Sequence, residues 1–157
     1  MLNTFQNYLT NENIYLWSNF GILPFWLMLL FAPNSRITQI FVNSIIAPLI
    51  LGSAYVYMIY EAILLDEPLI EFFKLYLSLD NLYTIFATEK FLLIFWIHFV
   101  AINLFLGSWV AKDGIKYNIS RSFLFVSLIF IYFTGPAGLF FYWFVRVFFA
   151  KRLGFHD

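Results

Sequence analysis

The sequence contains no cysteine, and His98 and His156 are the two histidines among its 157 residues. The absence of cysteine excludes disulfides, iron–sulfur clusters, thiolate metal sites and cysteine nucleophiles. Two histidines are too few for a histidine-rich di-iron centre. His98 also has no second histidine or clustered carboxylate with which to form a metal-ligand set. We therefore expect neither a metal site nor a cofactor.

Charged residues are also scarce, at 11% of the chain, and the formal net charge is +0. A neutral chain offers no electrostatic reason to expect nucleic-acid binding. Hydrophobic residues make up 62% of the sequence and the mean hydropathy is +0.82. A soluble domain has roughly 45–50% apolar residues, because it must cover its core with polar groups. The composition therefore predicts an integral membrane protein.

Four apolar runs are each long enough to cross a bilayer as a helix, at residues 14–31, 40–60, 91–110 and 123–145. At a rise of about 1.5 Å per residue, each run approaches the ~30 Å thickness of the hydrocarbon layer. The sequence thus predicts an all-α, four-transmembrane-helix bundle in a single membrane domain, residues 1–157.

The segment between the second and third runs has the pattern of an amphipathic helix. Glu67, Glu71, Lys74, Ser78 and Asn81 recur at steps of three and four, and apolar residues fill the other positions. We expect an interfacial helix at about 67–86, lying on the membrane surface. A linker with hydrophobic anchors is the alternative.

The sequence says less about the kind of membrane and about the orientation of the protein in it. The first twelve residues, MLNTFQNYLTNE, contain no Lys or Arg. A signal peptide or a transit peptide would carry basic residues in this region. We therefore expect a multi-pass protein of a bacterial inner or thylakoid-type membrane. With four spans, four basic residues fall on one side and five on the other, so the positive-inside rule does not decide the orientation.

His98 and Asn103 lie near the centre of the third run, where polar side chains are costly and usually face the bundle interior. Asn103 has two interpretations, an interhelical hydrogen bond or an orienting contact to a substrate. His98 is either a buried, hydrogen-bonded neutral imidazole or a proton donor and acceptor. Both interpretations remain open for each residue.

The fourth run contains TGPAGLFFYWFVR, in which Pro136 is expected to kink the helix. The kink indicates either an interior pocket or ordinary membrane-helix packing. Arg146, one turn after Tyr142, is expected to end the helix at the interface. Asp113, next to Lys112, is expected to be a solvated residue in the short polar loop before the fourth run.

Several motifs together resemble one known family. They are LPFWLMLLFAPNSRIT (23–38), WIH (96–98), NLFLGSWVAKDG (103–114) and GPAGLFFYWFVR (135–146). Each motif is weak alone, but their order and spacing are similar to those of the abscisic-acid-deficient-four family. The resemblance runs from about residue 20 to 147. The family consists of small four-helix membrane proteins, and its plant members are needed in plastids to make neoxanthin from violaxanthin.

The resemblance implies a carotenoid-related role and a set of site residues. The plant reaction is an isomerisation in which an epoxide opens and an adjacent proton leaves, which requires an acid and a base. His98 matches the family's WIH motif and is the candidate proton-transfer group, and Asp113 matches the family's loop aspartate and is a candidate accessory catalytic carboxylate. The implied substrate-binding residues are Trp96, Asn103, Gly107, Trp109, Tyr142 and Arg146. The family usually has aspartate where Asn103 stands, and an amide can orient a substrate oxygen but cannot act as a base.

Two functions follow as hypotheses. In the first, the protein binds a carotenoid or related isoprenoid lipid and isomerises it, as a neoxanthin-synthase-like enzyme. The alternative is a non-catalytic pigment- or lipid-binding subunit or scaffold, working as a homo-oligomer or within a larger membrane complex. A small transporter or channel is a third hypothesis, resting only on the membrane topology.

Overall fold

A computed structural model describes residues 10–44, 46–65 and 73–150. In these ranges the chain forms seven helices and no strands, which confirms the all-α prediction. The helices are α1 (Asn11–Phe31), α2 (Arg36–Phe41), α3 (Ile46–Leu65), α4 (Leu79–Phe86), α5 (Glu89–Lys116), α6 (Arg121–Thr134) and α7 (Pro136–Ala150).

The helix α5 is the centre of the fold, and α1, α3, α4, α6 and α7 all contact it. α1 runs parallel to α5: near its start Tyr15 packs on Trp96, with ring centroids 6.0 Å apart, and farther along Trp26 packs against Gly107. α3 runs antiparallel to α5.

Two helices, α1 and α5, are long and apolar enough to cross a membrane. They correspond to the first and third predicted runs. The apolar stretch of α3, Leu49–Ala62, and the helices α6 and α7 are shorter. Among the described residues, two helices therefore meet this criterion, and the predicted bundle of four spans is not confirmed.

The predicted fourth run, 123–145, is wrong as a single helix, because the chain reverses direction at Gly135. α6 and α7 lie side by side and antiparallel. The rings of Phe130 and Phe141 are 5.8 Å apart, and those of Phe123 and Phe149, farther from the turn, are 5.9 Å apart. Residues 123–150 thus form a helical hairpin and not a kinked span.

The reversal has a local cause in the sequence Gly135-Pro136. Gly135 has a φ of 58°, which side-chain-bearing residues rarely adopt. Pro136 is the first residue of α7, where its missing N–H would have had no helical partner. Gly138 has no Cβ, and a Cβ there would collide with the backbone of Ile131 in α6. The same residues that predicted a kink therefore permit a tight turn between two packed helices.

Three other predicted boundaries also change. The second run, 40–60, is interrupted after Phe41, and α3 begins only at Ile46. The predicted interfacial helix, 67–86, lies partly outside the described residues. Its described part has a turn at 75–77, after which Ser78 caps the short helix α4 by accepting from Asn81 N at 3.2 Å. No residue of α4 is buried.

The helix α5 continues through the predicted polar loop to Lys116. Its end is set by Asn118, which adopts a φ of 51°, a conformation that asparagine tolerates at helix ends. Gly114 stays helical and packs under Leu124, where an added Cβ would lie 2.8 Å from Cδ1 of that leucine. Asp113 is consequently a helical residue and not a loop residue.

The helix directions define two ends of the bundle. We call one end the loop face: it carries the end of α1, α2, the start of α3, the end of α5 and both open ends of the α6–α7 hairpin. We call the other end the α4 face: it carries the start of α1, the end of α3, α4 and the start of α5. The closed tip of the hairpin lies between the two, beside Asn103.

Candidate functional site

His98 lies on an exposed face of α5 and not in the bundle interior. Its ring packs on Tyr55 of α3, with centroids 5.7 Å apart. We find no hydrogen bond from the imidazole to another side chain in the described part of the chain. The interpretation of His98 as a buried, hydrogen-bonded imidazole is therefore wrong.

His98 and Tyr55 lie in a groove of about 320 Å³ between α3 and α5. From His98 to Lys112 the groove follows α5 for 14 residues, or about 21 Å at the helical rise. Most of its wall is apolar. Its lining consists of Val42, Asn43, Ser44, Leu51, Gly52, Tyr55, His98, Ala101, Ile102, Leu104, Phe105, Ser108 and Lys112.

The end of the groove at the loop face is polar and centred on Asn43. Ser108 Oγ and Asn43 Oδ1 are 2.6 Å apart, and Lys112 Nζ donates to the Asn43 carbonyl at 2.7 Å. Asn43 was not among the predicted site residues, because the predicted second run passed over it. The polar pair Asn43-Ser44 inside an otherwise apolar run was the signal that could have located this helix break.

Asn103 lies on a different side of α5 and is buried, with 3% of its surface exposed. Its Nδ2 donates to the carbonyl of Tyr132 at 3.5 Å, and its Oδ1 lies against Gly135. The last carbonyls of a helix have no partners within that helix. Asn103 therefore supplies a donor to the C-terminal end of α6 at the tip of the hairpin, and the interhelical hydrogen-bond interpretation is the one the structure contains.

Trp96 and Asn103 line a second cavity, of about 220 Å³, between α1, α5 and the hairpin tip. Trp96 Nε1 donates to Asn19 Oδ1 at 3.2 Å. The side of Gly107 is filled by Trp26, whose Cη2 would lie 2.6 Å from a Cβ on that glycine. Gly107 therefore serves helix packing and leaves no room for a ligand.

Asp113, Tyr142 and Arg146 form a buried polar cluster between α5 and α7. Asp113 Oδ2 accepts from Tyr142 Oη at 2.7 Å and from Arg146 Nε at 2.6 Å. The exposed fractions are 9% for Asp113, 0% for Tyr142 and 1% for Arg146. The guanidinium also lies over the ring of Tyr117, with Cζ 4.7 Å from its centroid. We call these four residues the ionic cluster.

The ionic cluster corrects two predictions. Asp113 is not solvated beside Lys112, and Arg146 does not reach out to the interface. Trp109 packs on Tyr142 at 6.0 Å between ring centroids and closes one side of the cluster. A carboxylate held by two buried donors is well suited to joining helices and poorly placed to exchange protons with a lipid.

The predicted site residues thus occupy three separate places. The groove holds His98, the second cavity is lined by Trp96 and Asn103, and the ionic cluster includes Asp113. His98 and Asp113 are 15 residues apart on one helix, about 22 Å along its axis. They cannot act together on one bond. In the described ranges, no three His, Asp or Glu side chains converge as metal ligands would.

Comparison with known proteins gives two matches. The model of the family described as ABA DEFICIENT 4-like matches residues 13–142. Protein ABA DEFICIENT 4, chloroplastic, from Arabidopsis thaliana is 30% identical over 101 residues, which are 63% of this chain and 46% of the plant protein. The chain therefore aligns with less than half the length of that relative. No solved structure matches it.

Proposed function

Because the chain belongs to the ABA DEFICIENT 4-like family, we propose that it is a multi-pass membrane protein that binds a carotenoid or a related isoprenoid. The ligand lies in the groove between α3 and α5. The observation that carries the proposal is the exposed imidazole of His98 within an otherwise apolar wall.

Membrane insertion is supported by the outer surface of the helices. The lipid-facing sides of α1 and α5 carry exposed aromatic side chains such as Trp17, Phe20 and Phe105. α3 has 20 residues, about 30 Å of helix, and packs along α5. In this arrangement α1, α3 and α5 cross the bilayer. The hairpin, with helices of 14 and 15 residues or about 21 to 23 Å, enters from the loop face and returns to it.

The groove suits an elongated apolar molecule with an oxygen-bearing end. Leu51, Ile102 and Phe105 contribute apolar wall, and an extended polyene can bury its surface against such side chains. At the loop face, Ser108 and Lys112 offer polar contacts to a hydroxyl group. An oxygenated isoprenoid would thus lie along α5 with its polar end near the membrane surface.

His98 brings an imidazole to the groove, and an imidazole can both donate and accept a proton. In an epoxide isomerisation, the protonated imidazole donates to the epoxide oxygen as the C–O bond breaks. The neutral imidazole then accepts the proton lost from a neighbouring carbon, and the electrons of that C–H bond form the new double bond. One imidazole completes both transfers, and the substrate gains no atom and loses none.

The second candidate function is non-catalytic binding of the same kind of ligand, as a subunit of a homo-oligomer or of a larger membrane complex. The observation that favours it is the use of Asp113 in the ionic cluster, since the second predicted catalytic group is then unavailable. Binding in the groove is common to both functions.

Expression of the protein in cells that make β-carotene, zeaxanthin or violaxanthin tests both candidate functions. The pigments of the membranes and of the purified protein are separated by chromatography. A new isomer that disappears in His98→Ala, while the bound pigment remains, supports catalysis. Bound but unchanged pigment supports the binding subunit. If none of the three pigments co-purifies or changes, the carotenoid proposal is wrong.

A further inference from the structure

The hairpin gives the molecule a strong charge asymmetry that a fourth span would have removed. Because α7 returns to the loop face, its basic residue Arg146 belongs to that side. Of the seven Lys and Arg that the structure describes, five lie on the loop face, leaving Lys74 and Lys90 for the α4 face.

The described acidic residues have the opposite distribution. The α4 face carries Glu12, Glu61, Asp80 and Glu89. On the described part of the loop face the acidic residue is Asp113, and its charge is buried against Arg146. The exposed charges there are all basic: Arg36, Lys112, Lys116 and Arg121.

Two adjoining hollows open among these basic residues. One, of about 390 Å³, is bordered by Lys112 and the amides of Asn34 and Gln39. The other, of about 190 Å³, is bordered by Arg121 and Asn118. Both share a floor of Pro33, Asn34 and Ile115. Basic side chains and amide donors around a concave surface are the chemistry that holds a phosphate group.

We propose that the loop face binds the phosphate of an anionic phospholipid, in the hollows bordered by Lys112 and Arg121, on the cytoplasmic side of the membrane. Cytoplasmic loops carry an excess of Lys and Arg, and basic residues near an anionic leaflet are attracted to its phosphate groups. The proposal rests on the membrane insertion of the proposed function, and Lys112 borders both the larger hollow and the groove.

The lack of cysteine makes the orientation directly measurable. Ser122 on the loop face and Thr84 in α4 are both exposed. Ser122→Cys and Thr84→Cys are each made alone, and spheroplasts of the expression host are treated with a membrane-impermeant maleimide. We expect Thr84→Cys to react before disruption of the membrane and Ser122→Cys only afterwards. The reverse pattern, or reaction of both before disruption, would overturn the orientation.

The lipid itself is tested with purified protein in a neutral detergent. The midpoint of thermal unfolding is measured with short-chain phosphatidylglycerol, short-chain phosphatidylcholine and inorganic phosphate. We expect phosphatidylglycerol to raise the midpoint and the other two to leave it unchanged. An equal rise with phosphatidylcholine, an equal rise with inorganic phosphate, or no rise with phosphatidylglycerol would contradict an anionic-lipid site.

A matched pair of double variants assigns the effect to the hollows. In Lys112→Gln/Arg121→Gln we expect the rise to be lost, and in Lys74→Gln/Lys90→Gln, on the α4 face, to be retained. The midpoint without lipid shows whether each variant is folded. If the loop-face variant is folded and still responds like the wild type, the lipid binds elsewhere. If it does not fold, the single variant Arg121→Gln replaces it, with a reduced rise expected and an unchanged rise contradicting the site.

Discussion

Two polar side chains on α5 have opposite environments in the structure. Asp113 is buried and accepts hydrogen bonds from Tyr142 and Arg146 at 2.7 and 2.6 Å. His98, nearer the middle of the helix, is exposed to a groove and contacts the ring of Tyr55. The first has its partners within the protein, whereas the second faces a space that a ligand can enter.

The difference distinguishes polar side chains that hold helices together from a polar side chain that is open to a ligand. A charge removed from water is tolerated only if it is paired and hydrogen-bonded, so Asp113 and Arg146 are bound to each other and connect α5 with α7. An imidazole at an open groove does not need such a partner. Substitutions should therefore affect folding strongly at the ionic cluster, less at the hairpin tip and hardly at all at His98.

The largest loss of stability is expected for Asp113→Ala. It leaves the buried guanidinium of Arg146 without its carboxylate, and breaking a buried ion pair typically costs about 3–5 kcal/mol. Expression yield and the thermal midpoint in detergent measure the effect, with Glu89→Ala at an exposed position as the control. Replacing both partners in Asp113→Leu/Arg146→Met should recover much of the loss. Equal stability of Asp113→Ala and Glu89→Ala would show that the ionic cluster contributes little.

A smaller loss is expected for Gly135→Ala at the hairpin turn. The φ of 58° is unfavourable for alanine, at a cost of about 1–3 kcal/mol, and the new methyl group would meet the side chain of Asn103. Gly21→Ala is the control, because no atom lies within 4 Å of a Cβ at that position. The thermal midpoints of the two variants should differ clearly. A stable Gly135→Ala would argue that residues 123–145 form a continuous helix.

A still smaller loss of stability is expected for Asn103→Asp. It should be about 1–2 kcal/mol, the cost of a lost hydrogen bond to a buried carbonyl. Aspartate lacks the amide N–H group that donates to Tyr132 O, so the C-terminal end of α6 loses this partner. The variant should neither gain isomerase activity nor change pigment binding in the groove. A gain of product, measured by chromatography, would instead show that the family's aspartate acts in catalysis here.

The smallest effect on stability is expected for His98→Ala, within about 0.5 kcal/mol, because the side chain is exposed. Its effect on the proposed isomerisation should be complete, since the imidazole carries both proton transfers of the proposed step. His98→Gln, which keeps polarity but not the proton chemistry, should behave in the same way. Full product formation by either variant would remove His98 from the mechanism.

The sequence predicted the helical class and two spanning helices because long apolar runs are specified locally, by composition and length. It could not predict the hairpin, because an apolar run of 23 residues fits one span or two packed half-length helices equally well. The decisive contacts, such as Phe123 with Phe149, join residues far apart in the chain. The same error assigned Arg146 to the side of Lys74 and Lys90, whereas the hairpin returns it to the loop face.

The candidate site was predicted only in part, for a related reason. A polar residue within an apolar run can be recognised in the sequence, and both His98 and Asn103 were. Which of the two finds a hydrogen-bond partner depends on the residues that neighbouring helices place beside it. Tyr132 and Gly135 lie beside Asn103 only because the chain reverses direction at the hairpin. Asp113 was assigned to a loop because the third run was expected to end at residue 110. In the structure α5 continues to Lys116, and Asn118 sets its end.

The most direct test of the central claim, that the groove holds the isoprenoid, fills the groove without disturbing the fold. Gly52 lines the groove and Gly21 lies outside it on α1, and at neither position does a Cβ meet an atom within 4 Å. Gly52→Phe and Gly21→Phe are expressed in carotenoid-producing cells, and the pigment bound per protein is measured by absorbance after purification. We predict that Gly52→Phe loses most of the pigment while Gly21→Phe retains it. Equal retention by two folded variants would contradict the groove as the binding site.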